Sequence, residues 1–368
     1  MIKSAIQEKK PDLILLLVTL LLVTIGTVMI YSSSSILATE RFRDGQFFLK
    51  KQLFFFFLGL LLMVLMTRIP YYKLRNLAWP GIGASIFLLC AIWIPHLGIK
   101  AGGAVRWLNL GIFSFQVSEL AKVALILFLA HFLTQRANHV REIIQGLLIP
   151  FGVTGAIVGL MLLQPDFGTT VIIVVITLMM IYLAGGRMIH LAGLAALFLP
   201  LLIWLLMYKK YRLARLLTFL DPWKDPRNSG FQIIQSLIAF GSGGAFGVGV
   251  GDGMQKLFYL PEPHTDFILS VIAEESGFVG VALILFLYVI LIVRGFQISL
   301  RAPDLFGNLL AAGLTMLIAL ETFINIAGVT GLIPLKGLAL PFLSYGGTSL
   351  MMSLITAGIL LNISAYER

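Results

Sequence analysis

The chain has 368 residues, of which 59% are hydrophobic and 12% charged, with a formal net charge of +10 at pH 7. Soluble domains run at about 45–50% apolar and about 25% charged, so this composition excludes an ordinary soluble globule and points to an integral membrane protein. The basic residues are scattered through loops and span ends without the Lys/Arg stripe that nucleic acid requires, which leaves anionic lipid headgroups or an anionic substrate as the expected partners.

Taken along the chain, apolar stretches predict an all-α polytopic membrane protein of about ten spans, at 13–33, 52–67, 77–95, 116–134, 146–163, 168–184, 190–207, 267–293, 306–328 and 347–364. Each is close to the roughly 20 apolar residues that a helix needs to cross a bilayer core. Lys3, Lys9 and Lys10 precede the first stretch. That stretch is too long for a signal-peptide core and has no small-x-small cleavage site behind it, so it reads as a retained span. An even number of spans puts both termini on one side. The expected cytoplasmic segments hold 12 Lys and Arg and the short external loops seven, which places both termini in the cytoplasm when long segments are left out of the count. Cys90 is the only cysteine, so no intrachain disulfide forms.

One domain, 1–368, accounts for the chain, with a single long external loop at about 208–266 between spans seven and eight. A loop of that length calls for structure of its own. Phe231, Ile234, Leu237 and Ile238 recur at helical spacing while Gln232 and Gln235 sit off that face, as in a short amphipathic helix lying on a membrane. The apolar character of 231–250 also leaves an extra or re-entrant segment open. The glycine-rich run Gly241–Gly253 has no GxGxxG register and no following Gly-Lys-Ser/Thr, so a nucleotide loop is excluded and a loop folded over a cleft is expected.

Polar groups at span ends carry the candidate chemistry. Asp266 stands at the start of span eight with Glu262 and His264 before it and Glu274 and Glu275 two turns inside. A carboxylate at a low-dielectric boundary has its pKa raised toward working pH, which suits a general base; an Asp at a helix start equally serves as an N-cap. Charges such as Glu275 within an apolar helix are usually paired or functional. Earlier in the chain, Arg106 and Trp107 precede span four. Glu119 and Lys122 within that span are three residues apart on one face. They form either a self-neutralising pair or a lysine-lined cavity for a phosphate or sugar. Trp107 is either an interfacial anchor or a stacking platform for a sugar ring. Gln164-Pro165-Asp166-Phe167-Gly168-Thr169 marks a turn in which Asp166 either caps span six or faces the active cavity. Before the last span, Lys336, Pro341 and Gly346-Gly347 interrupt apolar sequence, and broken backbone at membrane depth is tolerated where it lines a cavity. No His/Cys/Glu spacing supports a zinc site.

Four of these blocks, Gly-Ala-Val-Arg-Trp-Leu at 103–108, Gln-Pro-Asp-Phe-Gly-Thr at 164–169, Leu-Pro-Glu-Pro-His-Thr-Asp-Phe at 260–267 and Leu-Pro-Phe-Leu-Ser-Tyr-Gly-Gly-Thr-Ser at 340–349, resemble the SEDS family (shape, elongation, division and sporulation) of bacterial cell-wall proteins. The likeness runs from about residue 12 to 364. Residues 235–244, 255–262 and 336–342 are more similar to the FtsW-like division branch, or its sporulation relative, than to the RodA-like branch. One departure is Ala327-Gly328-Val329-Thr330, where the family more often has Gly-Met.

The resemblance implies a ten-helix peptidoglycan glycosyltransferase of the bacterial cytoplasmic membrane that polymerises lipid II into glycan strands and releases undecaprenyl pyrophosphate. The family's essential aspartate carries over to Asp266. Arg106, Trp107, Glu119, Lys122, Glu275 and Lys336 are then expected to bind substrate. A divalent cation is compatible with this chemistry, and the metal ligands are unspecified. A class B penicillin-binding protein and other divisome or elongasome membrane proteins are the implied partners. Two rival expectations are a lipid II flippase, in which Lys122, Glu119 and Glu321 line a path through both leaflets, and a divisome scaffold.

Overall fold

The computed structural model describes residues 10–101, 104–111, 113–194, 196, 200, 218–226, 230–256, 260, 262–334 and 337–366. Among the described residues eight helices are long and apolar enough to cross a membrane, and Phe167–Leu183 adds a shorter apolar one. The expected span at 190–207 lies largely outside the described residues, and its described start, 188–194, is helical. The architecture is therefore the multi-pass helical one that hydropathy predicts.

In chain order the helices used below are α1 (Leu13–Phe42), α2 (Phe47–Arg68), a short α3 (Tyr71–Leu74) running into α4 (Ala78–Ala91), α5 (Val117–Gln135), α6 (Ile149–Leu163), α7 (Phe167–Leu183), the non-spanning α8 (Phe231–Gly243), α9 (Ile268–Arg301), α10 (Leu305–Val329) and α11 (Gly347–Ser364). At 1.5 Å per residue α1 extends about 45 Å and overreaches a roughly 30 Å hydrocarbon core. Asp12 caps it, Oδ1 accepting from the Leu15 amide at 2.9 Å, and also pairs with Arg294 near the end of α9. Helices α5, α10 and α11 bury most of their length and form the inside of the bundle. Helix α2 and the part of α9 beyond Gly277 bury little and form its lipid-facing rim, whereas the first turns of α9, Ile268–Glu275, are buried.

An unexpected element interrupts the all-α pattern. Gly98–Ala101 (β1), Ala104–Asn109 (β2) and Ser114–Gln116 (β3) form a three-stranded antiparallel sheet in the order β1-β2-β3. Ala101 pairs with Ala104 and Trp107 with both Ile99 and Gln116. The signal was present in Gly102-Gly103 between two short runs, a hairpin pattern.

The long loop also differs from expectation. The amphipathic helix forms as α8, but it buries Ile233, Ile234, Ser236 and Ala239 against α9 and α10 and leaves Leu237 and Ile238 exposed. Tertiary packing, not a membrane surface alone, chose the buried face. The glycine run beyond it is not draped over a cleft. It repairs a break in α9 at Gly277, where φ is 65°. Phe278 and Val279 amides donate to the carbonyls of Gly244 and Ala245 at 2.9 and 3.1 Å. Val248 and Gly249 amides donate to the carbonyls of Glu274 and Glu275 at 3.0 and 3.1 Å. A broken helix leaves backbone groups that must find partners inside a membrane, and this loop supplies them. A Cβ on Gly277 would lie 2.3 Å from the Gly247 amide nitrogen, so only glycine permits the approach.

Candidate active site

The start of α2, the β2–β3 hairpin, the α7 cap, residues 262–266 and the broken segment before α11 line one cavity of about 750 Å³. Asp266, Arg106, Trp107 and Glu119 all face it, so four of the residues singled out in the sequence are brought together. Lys122 and Glu275 are not among the residues lining it. Lys336 lies outside the described residues.

Asp266 is not the cap of α9. Phe267 occupies that position and no side-chain cap hydrogen bond forms. The aspartate is instead held through its backbone and its neighbours. Asn325 of α10 donates its side-chain amide to the Asp266 carbonyl at 3.0 Å and to the Leu338 carbonyl at 2.7 Å. Ser344 donates to the Thr265 carbonyl at 2.7 Å and accepts from the Leu340 amide at 2.8 Å. The Tyr345 amide donates to the His264 carbonyl at 2.8 Å. The irregular segment 337–346 is thus a clamp on 264–266, which is why apolar sequence is interrupted there. A Cβ on Gly337 would come within 2.7 Å of Asp266 Oδ2, so any side chain at 337 must displace the carboxylate.

Arg106 serves the opposite wall. Its Nε and Nη2 donate to the carbonyls of Gln164 at 3.1 Å and Pro165 at 2.7 Å, locking the hairpin to the turn before α7. Asp166 in that turn caps α7, accepting from the Thr169 amide and hydroxyl, and also lines the cavity. The Gln116 amide donates to Thr348 Oγ1 at 3.3 Å, tying the hairpin to α11.

Lys122 and Glu275, expected to bind substrate, lie outside the cavity lining and are paired within the bundle. Lys122 is 3% exposed and sits between Glu119, at 2.8 Å, and Glu321 of α10, so its charge is consumed inside the bundle. Glu275 pairs with Lys256 at 2.7 Å and accepts from Ser32 of α1 at 2.8 Å. Glu274 accepts from the Met254 and Gln255 amides. Both carboxylates fasten the glycine loop to α9, following the rule that buried charges are paired. Sequence reasoning missed Lys50 and Lys51, which line the cavity from α2; the signal was two adjacent cations at the edge of an apolar run.

His264 is 2% exposed, with ring centroids 4.4 Å from Phe48 and 5.3 Å from Tyr345. Burial, assisted by the positive charge of Arg41, pushes its pKa down from 6.5 to about 4. The ring is therefore neutral at pH 7, and its 3.7 Å approach to Glu262 is not a working ion pair. A base whose folded pKa is depressed leaves stability intact above the unfolded pKa of 6.5. Stability falls as pH drops below that value, because only the unfolded segment takes up the proton. From pH 7 to pH 5 this amounts to about 2 kcal/mol. His264→Phe is expected to lose correspondingly less stability over that interval, read as the difference in melting temperature between the two pH values.

The family model described as "Cell cycle protein", covering FtsW, RodA and SpoVE, matches residues 12–368. A protein of Geobacter sp. (strain M18) named "Probable peptidoglycan glycosyltransferase FtsW" is 43% identical over 97% of this chain and 97% of its own. The "Stage V sporulation protein E" of Bacillus subtilis (strain 168) is 43% identical over 98% of this chain and 99% of its own. Among solved structures, one described as "Structural coordination of polymerization and crosslinking by a peptidoglycan synthase complex" superposes with a TM-score of 0.79 at 34% identity, covering 96% of this chain and 97% of that one. The Thermus thermophilus rod shape determining protein RodA superposes with a TM-score of 0.72 at 29% identity, covering 97% and 98%.

Proposed function

The chain belongs to the FtsW/RodA/SpoVE family of cell cycle proteins, and on that ground we infer that it is a peptidoglycan glycosyltransferase, of the FtsW-like branch. We propose that it polymerises lipid II, with Asp266 as general base. The observation that carries the assignment of the site is the carboxylate of Asp266 in a cavity of about 750 Å³ that also presents an indole and cationic side chains. Sugar rings stack on indoles, and cations offset charge that develops on a leaving phosphate.

In the proposed step the 4-hydroxyl oxygen of the acceptor GlcNAc attacks the anomeric carbon of the donor MurNAc. The new C–O bond forms as the bond to pyrophosphate breaks, and its electron pair leaves with undecaprenyl pyrophosphate. The hydroxyl proton passes to Asp266, and the configuration at the anomeric carbon inverts. Trp107 offers a stacking surface, while Arg106, spent on two carbonyls, shapes the cavity. Because a Cβ at 337 would push the Asp266 carboxylate aside, Gly337→Ala is expected to lower kcat about 10²-fold, the scale of a 1 Å misplacement. Single-turnover kinetics on the folded variant would read this.

A divalent cation is proposed only as a companion of the substrate's phosphates, since among the described residues no three His, Cys, Asp or Glu side chains cluster to hold one; chelation with EDTA tests it. We place the chain in the cytoplasmic membrane with both termini inside, so that the cavity opens on the outer face. A class B penicillin-binding protein is its proposed partner. The burial of Lys122 and Glu321, paired with each other behind the cavity-facing Glu119, favours polymerase over flippase, since a transport path would need Lys122 and Glu321 open to solvent. The deciding experiment is lipid II polymerisation by the purified chain with its partner, the partner's transpeptidase blocked. Glycan strands support the proposal; lipid translocation in liposomes without strands would replace it.

A further inference from the structure

Three buried polar atoms behind the cavity have no hydrogen-bond partner among the described residues: Ser118 Oγ of α5, and Thr322 Oγ1 and Asn325 Oδ1 of α10. Each of the three residues is 3% exposed. A hydroxyl in a helix usually donates to the carbonyl four residues back, and Thr27, Thr177 and Thr315 do so here. Thr322 does not. Ser118 stands in the first turn of α5, and position 114, four residues back, belongs to β3, where its carbonyl accepts from Thr348. Asn325 spends its amide nitrogen on the carbonyls of Asp266 and Leu338, so its oxygen points away from them.

These atoms belong to one seam. Helix α5 starts at the cavity, which Gln116 and Glu119 line, and α10 ends there, where Asn325 reaches Asp266. The two helices are therefore antiparallel, and they touch where Lys122 pairs with Glu321. Ser118 is one turn before Lys122 and Asn325 one turn after Glu321, each on the same face as that partner. Both thus lie about 6 Å nearer the cavity than the ion pair, at one level of the seam, with Thr322 beside Asn325. Buried polar groups find partners in protein or in ordered water. Two hydroxyls and an amide oxygen that can only accept suit a water molecule, which donates to Asn325 Oδ1 and exchanges a bond with each hydroxyl. Three hydrogen bonds are usual for a buried water. A hard metal cation takes about six oxygens or more, which the seam does not supply.

We infer that the α5–α10 seam holds an ordered water on Ser118, Thr322 and Asn325, and that this water makes Asn325 a positioning residue for Asp266. The water fixes the amide with its nitrogen toward the carbonyls of residues 266 and 338. Without it the amide oxygen is left unpaired. Turning the amide to satisfy the oxygen sets it against those two carbonyls, which frees the loop that carries Asp266. The Lys122–Glu321 pair sets the spacing of the two helices at the next turn, so ion pair, water and Asp266 loop form one chain of contacts. The positioning role rests on the polymerase reading above; the hydration site does not.

The test is an electron-microscopy or crystal structure of the full chain at a resolution that shows ordered water, paired with kinetics. Wild type is expected to show a solvent peak within hydrogen-bond distance of Ser118 Oγ, Thr322 Oγ1 and Asn325 Oδ1, and Ser118→Ala/Thr322→Val to lose it. In lipid II polymerisation that double variant should lower kcat about tenfold with KM unchanged, short of the 10²-fold cost of a 1 Å misplacement. Giving back one hydroxyl, in Ser118→Ala/Thr322→Ser, should recover both the peak and most of the rate. A wild-type map without the peak overturns the inference even where the double variant fails to fold. So does a peak at metal–oxygen distances, which would make the seam a cation site. A double variant that has lost the peak yet polymerises like wild type overturns the positioning role, as does a fall in kcat that tracks melting temperature and is not recovered by serine. The map is read without turnover, so a wild type that holds the water yet makes no glycan overturns the polymerase reading and leaves the hydration site standing.

Discussion

Asp266→Asn is expected to reduce glycan synthesis about 10²- to 10⁴-fold, the range supplied by a positioned general base, while the protein melts as wild type does. Asparagine has nearly the shape of aspartate, and Asn325 holds residue 266 by its backbone carbonyl, a contact that the substitution does not touch. The loop that carries it is held by Ser344 and Tyr345 through the carbonyls of residues 265 and 264, again independent of the carboxylate. These backbone contacts of residues 264–266 are the same in the variant. Equal polymerisation by the variant would remove Asp266 from the reaction. A matched fall in activity and melting temperature would mean that the carboxylate serves the fold.

The second large effect is on stability. Lys122→Met is expected to destabilise the bundle by about 3–5 kcal/mol, because removing one partner of a buried pair leaves uncompensated charge. Here two carboxylates, Glu119 and Glu321, depend on one ammonium that is 3% exposed. Adding Glu321→Gln to Lys122→Met should restore part of the loss, since one stranded charge is then gone. Thermal melting of the single and double variants gives the answer. If Lys122→Met melts normally and instead raises KM for lipid II, the lysine is a substrate ligand, the second of the two readings that the sequence left open.

The contrast between Lys122 and Lys51 shows where sequence reasoning reaches its limit. A cation in an apolar helix advertises itself in the sequence. Whether it meets substrate depends on what lies across from it, and for Lys122 that is Glu321, 199 positions away. For Lys51 no carboxylate arrives among the described residues; it lines the cavity with its ammonium over the Phe47 ring. The same holds for Glu275, whose partner Lys256 comes from a glycine loop that folds back on the α9 break at Gly277.

What the sequence determined by itself was whatever depends on local composition. Membrane spans follow from uninterrupted apolar runs, because an unpaired peptide group in hydrocarbon is too costly for any structure but a helix. The position of Asp266 at a span edge, the turn that Asp166 caps and the interruption around Pro341 were legible for the same reason, as was the family. The tertiary structure decided how the polar groups were paired. It paired β1, β2 and β3 into a sheet, chose the buried face of α8, and closed Lys122 and Glu275 into ion pairs. It also set Asp266 against Gly337 and brought Lys50 and Lys51 to the cavity. Pairing inside a membrane is a long-range choice, because each buried charge must find its complement wherever the packing of other helices delivers one.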